Sequence, residues 1–226
     1  MKIIGITGKI GSGKSKLLER VEGIEGVSFA VADEVSHELI KKGNEGYNKL
    51  VEVFGDEIIG GDGEIDKKKL SDIIFSDEKK RAVVNSLIHP LVKNKIIEDM
   101  TEKEKAGRIC YFVESAILME SHFDVFCDEL WYVYADRAVR KDRVVNTRGI
   151  APDKFDAIDE AQKGLDLVEE EYFTLEVPFG IKELDEADEV KYYKSNPLWI
   201  TFDNSNNLLI NHEFDAIAEA LIRNRL

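Results

Sequence analysis

The sequence predicts an α/β fold, in which a parallel five-stranded sheet is flanked by helices. Five apolar runs of strand length recur along the 226 residues, and helical patterns separate them. The runs are rich in Val, Ile and aromatic residues and carry few charges, which is typical of strands buried on both faces. Strands that alternate with helices indicate a parallel sheet covered on both sides. The predicted strands are residues 2–7, 27–33, 108–114, 129–135 and 198–203.

The segments between these strands carry helical patterns, at residues 14–22, 35–42, 67–75, 80–105 and 136–147. Residues 34–107 are too long for a simple crossover and contain almost no strand signal, so we expect a helical insert there. Pro90 lies inside one of these patterns and is expected to kink or restart that helix.

The composition, with 43% hydrophobic and 34% charged residues, is typical of a globular protein with a real core. The net charge of −14 argues against a nucleic-acid partner. No apolar run approaches the roughly 18 residues of a membrane span, and the first apolar stretch is too short for a signal peptide. Cys110 and Cys127 lack the spacing of metal ligands and favour reduced, buried thiols over a disulfide. We therefore expect a cytoplasmic protein without a membrane partner.

A glycine-rich loop follows the first predicted strand and opens the first predicted helix. It matches G-x-x-x-x-G-K-[ST], the phosphate-binding P-loop, and comprises Gly8, Lys9, Ile10, Gly11, Ser12, Gly13, Lys14 and Ser15, followed by Lys16. Glycines let backbone N–H groups approach phosphate oxygens, and the helix start adds attraction for an anion. Lys14 would reach the β- and γ-phosphates, and Ser15 would hold Mg²⁺. Because a plain glycine-rich turn need not lie between strand and helix, we expect a P-loop NTPase-type fold that binds a nucleoside triphosphate.

The ends of the next two strands suggest a kinase. The sequence has no N-K-x-D guanine signature and no long apolar strand ending in Asp-Glu, as ATPases favour. Asp33 ends the second predicted strand, where it could accept a substrate hydroxyl proton, help to hold Mg²⁺, or cap the following helix. Glu114 ends the third strand and is either a metal-side carboxylate, directly or through water, or a solvated acid.

Four arginines follow the fourth predicted strand: Arg137, Arg140, Arg143 and Arg148. Arginines spaced by three lie on one helix face and could close over a transferring phosphoryl group. The alternative is that they only pair with acids such as Asp136 and Asp142.

These motifs, in this order, resemble the dephospho-CoA kinases, P-loop enzymes that phosphorylate the ribose 3′-hydroxyl of dephospho-coenzyme A with Mg-ATP. Beyond the P-loop, five further segments carry the resemblance. They are "VADEVSHELI" (31–40), the stretch 54–92 that ends in "NSLIHPLV", "DRVVNTRG" (142–149), Gln162 in the expected lid, and "DNSNN" (203–207).

The resemblance implies roles for individual residues and ATP and Mg²⁺ as cofactors. Asp33 would act as the general base and Lys14 would bind the phosphates. Arg143 would stabilise charge on the phosphoryl group during transfer. ATP would be bound by residues 8–16 with Arg148 and Asn204, and Mg²⁺ by Ser15, with Asp33 or Glu114 acting through water. The acceptor side would include Lys67, His89, Pro90 and Glu120. His89 could instead cap a carbonyl at a helix break, and His37 reads as a surface or packing residue.

The resemblance also implies a division of the chain. Residues 1–33, 108–135 and 198–226 would form the nucleotide-binding core, residues 34–107 the helical acceptor-side insert, and residues 136–197 the lid helices with an acidic connection. The acidic part stands out, since residues 151–190 hold 14 Asp and Glu against 3 Lys. We expect a monomer whose partners are ATP and dephospho-CoA.

The chain departs from the family pattern at several motif positions. Val31 replaces the first Asp of D-A-D, Lys9 the second loop glycine, Lys67 an arginine, Ala116 a proline and Ile158 the lid arginine. Two alternatives therefore stay open. One is a P-loop kinase for another nucleotide or small metabolite, and the other is a non-catalytic ATP-binding homologue.

Overall fold

The computed structural model describes residues 1–165, 181–183 and 198–203, the last two segments as backbone strands. The chain divides into two compact units, one of residues 1–29 and 104–226 and one of residues 30–103. The strands are β1 Lys2–Thr7, β2 Val27–Val31, β3 Cys110–Glu114, β4 Glu129–Tyr134, β5 Ile181–Glu183 and β6 Leu198–Asp203. The α-helices are α1 Lys14–Glu22, α2 Ala32–Leu39, α3 Glu45–Phe54, α4 Lys67–Ser76, α5 Glu78–Lys105, α6 Arg137–Asp142 and α7 Pro152–Ala161.

The sheet has the strand order β2-β3-β1-β4-β6-β5. Parallel pairing joins β3, β1, β4 and β6, with Ile4 opposite both Phe112 and Glu129, and Tyr132 opposite Thr201. β5, by contrast, runs antiparallel to β6. The parallel α/β architecture is therefore confirmed, but the count of five strands is wrong. The additional strand is β5, which has only three residues and lies in the acidic segment. No apolar run in that segment predicts a strand.

The centre of the sheet forms the core of the first unit. Every residue of β3 is buried, and β4 is buried up to Val133. The rings of Phe112 and Trp131, on strands either side of β1, meet edge to face with centroids 5.1 Å apart. The one charged residue that β4 buries, Glu129, accepts hydrogen bonds from Lys2 Nζ at 2.7 Å and Trp131 Nε1 at 3.0 Å. Burial on both faces explains why these strands read as unbroken apolar runs.

The helix that was predicted over residues 136–147 is two structures in succession. The α-helix α6 ends at Asp142 and is continued by a π-helical turn, Arg143–Thr147. α7 then begins with Pro152 at its first turn, where the missing proline N–H costs nothing. These elements follow β4 and contribute side chains to the candidate site.

The second unit is helical, as the long connection between the second and third strands predicted. Its core is a cluster of buried apolar side chains, which comprises Leu50, Ile58, Ile65, Leu70, Val84 and Ile88. Asp66 caps α4 by accepting hydrogen bonds from the N–H groups of Lys68 and Lys69. A single antiparallel bridge in this unit joins Ile59 to Ile65, among the residues that the structure describes.

Pro90 does not restart the helix that contains it. α5 runs for 28 residues, through Pro90, without interruption. Proline removes a single backbone hydrogen bond inside a helix, and the buried neighbours Ile88 and Leu91 anchor the helix on either side of it. The predicted restart is therefore wrong.

Among the residues that the structure describes, no helix is both long and apolar enough to span a membrane. Cys110 and Cys127 are free and buried, as predicted.

Candidate active site

The glycine-rich loop, residues 8–13, connects β1 directly to α1. Gly8, Gly11 and Gly13 have φ angles of 147°, 79° and 114°, a region that side-chain-bearing residues rarely adopt. A Cβ atom on Gly8 would lie 2.3 Å from the Val133 carbonyl oxygen, and one on Gly11 would lie 2.7 Å from the Arg140 carbonyl oxygen. The loop thus lies against β4 and α6 so closely that glycine is required at both positions.

The lysine of the loop lies beside a buried carboxylate. Lys14 Nζ donates a hydrogen bond to the Gly8 carbonyl oxygen at 2.8 Å and lies 3.5 Å from Glu114 Oε1. Glu114 is the last residue of β3 and is only 8% exposed, so the alternative of a solvated strand-end acid is wrong. Parallel pairing of β1 with β3 explains the contact, since it brings the C-terminal ends of both strands to one edge of the sheet.

Two arginines hold the outer, carbonyl side of the loop. Arg140 Nη1 donates to the Ile10 carbonyl oxygen at 3.3 Å. Arg143 Nη1 donates to the carbonyl oxygens of Gly11 and Ser12 at 3.2 and 3.3 Å. Burial lowers the pKa of Arg143, although a guanidinium stays protonated in proteins. The structure therefore brings Arg143 to the loop through the loop carbonyls, and its role on the transferred charge stays a prediction.

Acids on α7 supply carboxylate partners for the first two arginines of α6. Arg137 bonds Asp156 at 2.6 Å and Asp159 at 2.8 Å, and Arg140 bonds Asp159 at 2.5 Å. Burial opposes ionisation of Asp159, but the hydrogen bonds from Arg140 and Arg137 outweigh it and lower the pKa of this carboxyl. Sequence reasoning missed these partners, although acids three apart on α7 match arginines three apart on α6.

The end of α7 also reaches the loop. Gln162, the residue after α7, accepts a hydrogen bond from the Ile10 N–H at 2.8 Å. Beside this contact lies a cavity of about 330 Å³, lined by Lys9, Tyr134, Ala135, Arg137, Arg140, Asp159, Glu160 and Lys163. Lys9, one of the residues that depart from the family pattern, is only 5% exposed. Three cations of this lining pair with its two acids, Arg137 and Arg140 with Asp159 and Lys163 with Glu160.

Asp33 is not at a strand end. β2 ends at Val31 and α2 begins at Ala32, so Asp33 lies exposed in the first turn of α2. The residue at the helix-capping position is Val31, and the capping alternative for Asp33 is therefore wrong.

The remaining predicted residues of the second unit are spread over two helices. Lys67 is the exposed first residue of α4. His89 is half-buried within α5, where burial lowers its pKa, and Pro90 beside it is exposed. Because α5 continues through Pro90, a role for His89 at a helix break is wrong. His37 is exposed on α2, in keeping with a surface residue.

Further predicted residues lie elsewhere in the first unit. Ser15 and Lys16 are exposed in the first turn of α1, and Lys16 pairs with Glu19 at 2.7 Å. Arg148 is exposed just beyond the π-helical turn. Glu120 lies in a turn after β3, and partial burial raises its pKa. Asn204 lies outside the described residues.

The loop residues suit a magnesium ion that is shared with a nucleotide. Mg²⁺ prefers oxygen ligands and usually keeps several from phosphates and water. The Ser15 hydroxyl and the Glu114 carboxylate are such donors at the end of the loop. In the described part of the chain no group of three or more His, Cys, Asp and Glu residues could hold a metal by itself. A site completed by the nucleotide fits this donor set.

Comparison with known proteins gives concordant matches. A family model described as dephospho-CoA kinase matches residues 2–169. A dephospho-CoA kinase of Staphylococcus aureus is 33% identical over 150 residues, covering 66% of this chain and 72% of that protein. One from Symbiobacterium thermophilum is 31% identical over 166 residues, covering 74% of this chain and 69% of that protein.

Two solved structures share the fold. The crystal structure of TT1252 from Thermus thermophilus has a TM-score of 0.68 at 22% identity, covering 96% of this chain and 97% of that chain. The dephospho-CoA kinase from Campylobacter jejuni has a TM-score of 0.59 at 16% identity, covering 98% of this chain and 97% of that chain.

Proposed function

Because the chain belongs to the dephospho-CoA kinase family, we propose that it transfers a phosphoryl group from ATP to the ribose 3′-hydroxyl of dephospho-coenzyme A, giving coenzyme A, the last step of coenzyme A biosynthesis. The observation that carries this proposal is the glycine loop with Lys14 and Glu114 at its end. Lys14 lies on the phosphate-binding loop, next to a buried carboxylate of the neighbouring strand. Such a pair suits a Mg-nucleotide better than any uncharged ligand.

Nucleotide binding in this proposal rests on the loop and the start of α1. Residues 8–16 surround the phosphates, and the Lys14 ammonium leaves the Gly8 carbonyl oxygen to bind the β- and γ-phosphates. Arg148 and Asn204 complete the ATP site. Mg²⁺, when bound, neutralises charge on the phosphates, and Ser15 would hold it, with Asp33 or Glu114 acting through water.

Asp33 acts as the general base in this proposal. Its exposed carboxylate takes the proton of the 3′-hydroxyl as the 3′-oxygen attacks the γ-phosphorus of ATP. The bond between that phosphorus and the bridging oxygen breaks, and ADP leaves with the electron pair. Arg143, held at the loop, stabilises the charge of the transferring group. With Ile158 in place of the lid arginine, this task falls on Arg143 and Arg148.

Four residues are assigned to the acceptor. Lys67, His89 and Pro90 in the second unit and Glu120 in the first are the residues assigned to dephospho-coenzyme A. Lys67 would meet an acceptor phosphate as a point charge, without the two-pronged geometry of an arginine. We propose further that the protein acts in the cytoplasm as a monomer.

One assay separates this proposal from its alternatives. ADP release is followed with dephospho-CoA, with a panel of nucleoside monophosphates, and without acceptor, in the presence of Mg²⁺. We expect release with dephospho-CoA and phosphate on the 3′-oxygen by phosphorus NMR. Release only with a monophosphate would establish another acceptor, which Val31, Lys67 and Ala116 would then explain. Tight ATP binding without release under any condition would identify a non-catalytic homologue.

A further inference from the structure

The backbone of Ile10 is held at both of its polar atoms by side chains from outside the loop. Its N–H donates to Gln162 Oε1 at 2.8 Å, and its carbonyl oxygen accepts from Arg140 Nη1 at 3.3 Å. Gln162 directly follows α7, and Arg140 belongs to α6. The loop conformation at this residue is therefore set from the α6–α7 side.

The Arg140 guanidinium is itself fixed. The residue is 3% exposed, and its Nε donates to the Ala135 carbonyl oxygen at 3.0 Å. Its Nη1 also bonds Asp159 Oδ1 at 2.5 Å. The guanidinium carbon lies 5.9 Å from the centre of the Phe155 ring. A planar donor with this many partners has little freedom, so the position of the Ile10 carbonyl is specified closely.

The direction of a carbonyl determines the direction of the next N–H. In a planar trans peptide the C=O of one residue and the N–H of the following residue point to opposite sides, and the described chain has no cis peptide bond. Arg140 holds the Ile10 carbonyl toward α6, which turns the Gly11 N–H to the opposite side of the loop. Arg143 does the same for the Gly13 N–H through the Ser12 carbonyl. Those N–H groups are the kind that bind phosphate oxygens.

We propose that Arg140, oriented by Asp159, is a positioning residue for the nucleotide phosphates. It touches neither substrate, and acts by holding the Ile10 carbonyl so that the Gly11 N–H faces the phosphate side of the loop. The proposal rests on the proposed function insofar as the loop binds ATP, and it is independent of the acceptor.

The chain offers a matched control for this role. Arg137 lies one turn before Arg140 on α6 and also bonds Asp159, at 2.8 Å, together with Asp156. It is about half exposed, and within the described residues its guanidinium donates hydrogen bonds to these two acids. Arg137→Ala therefore removes a guanidinium from Asp159 while leaving the Ile10 carbonyl contact in place.

The test measures the Mg-ATP dissociation constant by calorimetry, the KM values for both substrates, and the melting temperature of the free protein. We expect Arg140→Ala to raise the dissociation constant and the KM for ATP by about tenfold, the size of one charge-assisted hydrogen bond, and to leave the KM for dephospho-CoA within about twofold. Arg140→Lys, which keeps a cationic donor, should recover part of the loss. Arg137→Ala should bind ATP within about twofold of the wild type.

Two outcomes would overturn the proposal. If Arg140→Ala lowers the melting temperature but binds ATP like the wild type, Arg140 is only structural. If Arg137→Ala weakens ATP binding as much as Arg140→Ala, the effect belongs to the packing of α7. Should the alanine variant not fold, Arg140→Lys and Asp159→Asn replace it, and unchanged ATP binding in both overturns the proposal. If the wild-type protein binds ATP but does not turn over dephospho-CoA, the proposed function is contradicted. The comparison of ATP binding between Arg140→Ala and Arg137→Ala stays valid in that case.

Discussion

Lys14 Nζ lies 3.5 Å from Glu114 Oε1, and the two side chains are 13% and 10% exposed. A second pair of the same kind, Lys2 with Glu129 at 2.7 Å, joins the first residues of β1 and β4, with side chains 16% and 5% exposed. Removing one member of such a pair leaves a buried charge without compensation, which is destabilising wherever the pair lies. Only the first pair lies at the glycine loop, so the second serves as a control for every test of the first.

Lys14→Ala should weaken ATP binding and abolish phosphoryl transfer. The variant loses the cation that would meet the β- and γ-phosphates, so we expect the dissociation constant of Mg-ATP to rise roughly 10–100-fold, the size of one or two charge-assisted hydrogen bonds. Calorimetry and ADP release measure the two effects. Lys2→Ala removes the cation beside the buried Glu129, which keeps its hydrogen bond from Trp131 Nε1, and should cost stability without weakening ATP binding. A Lys14→Ala variant that turns over at the wild-type rate would show that the loop plays no part in catalysis.

Glu114→Gln should change the magnesium dependence of the reaction. The amide keeps the shape of the side chain but removes the negative charge beside Lys14 and the loop. Residues that orient metal ligands typically change metal affinity or activity about 10–100-fold when they are replaced. We therefore expect the Mg²⁺ concentration for half-maximal rate to rise by an amount in this range, measured at saturating ATP. Glu129→Gln is the matched control. An equal magnesium dependence in the wild type, Glu114→Gln and Glu129→Gln would exclude Glu114 from the metal site.

The sequence predicted those parts of the site whose signal is local. Residues 8–15 carry glycine at fixed offsets between a strand and a helix, and the strands are unbroken apolar runs. By contrast, the Gln162–Ile10 contact joins residues 152 positions apart, and nothing near either residue specifies it. Acids spaced by three on α7 match arginines spaced by three on α6, but a single sequence does not tell which helices face each other.

The position of Asp33 shows a second limit of prediction from the sequence, the exact end of a strand. The apolar run Val27–Val31 continues into Ala32 without a break, so the predicted strand extended to residue 33. The backbone turns into α2 at Ala32, and boundaries of this kind are uncertain by one or two residues from sequence. Asp33 still has an exposed carboxylate, now in the first turn of α2 and not at the end of a strand. Its proposed role as general base is the same.

Asp33→Asn should therefore separate binding from chemistry. An amide cannot take the proton of the attacking hydroxyl, so turnover should fall by about 10²–10⁴, the usual contribution of a general base. ATP affinity should stay close to that of the wild type, because the loop is unchanged. Glu34→Gln alters the adjacent exposed acid in the same first turn of α2 and should retain full turnover. Near-normal rates for Asp33→Asn would remove the residue from the catalytic set.

The two buried thiols should make the fold sensitive to high pH. Burial raises the pKa of Cys110 and of Cys127 from 9.0 to about 12. Above pH 9 the unfolded chain loses these protons while the folded chain keeps them, so the free energy of unfolding falls as pH rises toward 12, by about 1.4 kcal/mol per pH unit and thiol. Urea unfolding under reducing conditions at pH 8 and pH 10 measures the decrease. The variant with both cysteines replaced by alanine should lose less between the same two pH values, and an equal loss would contradict the assignment.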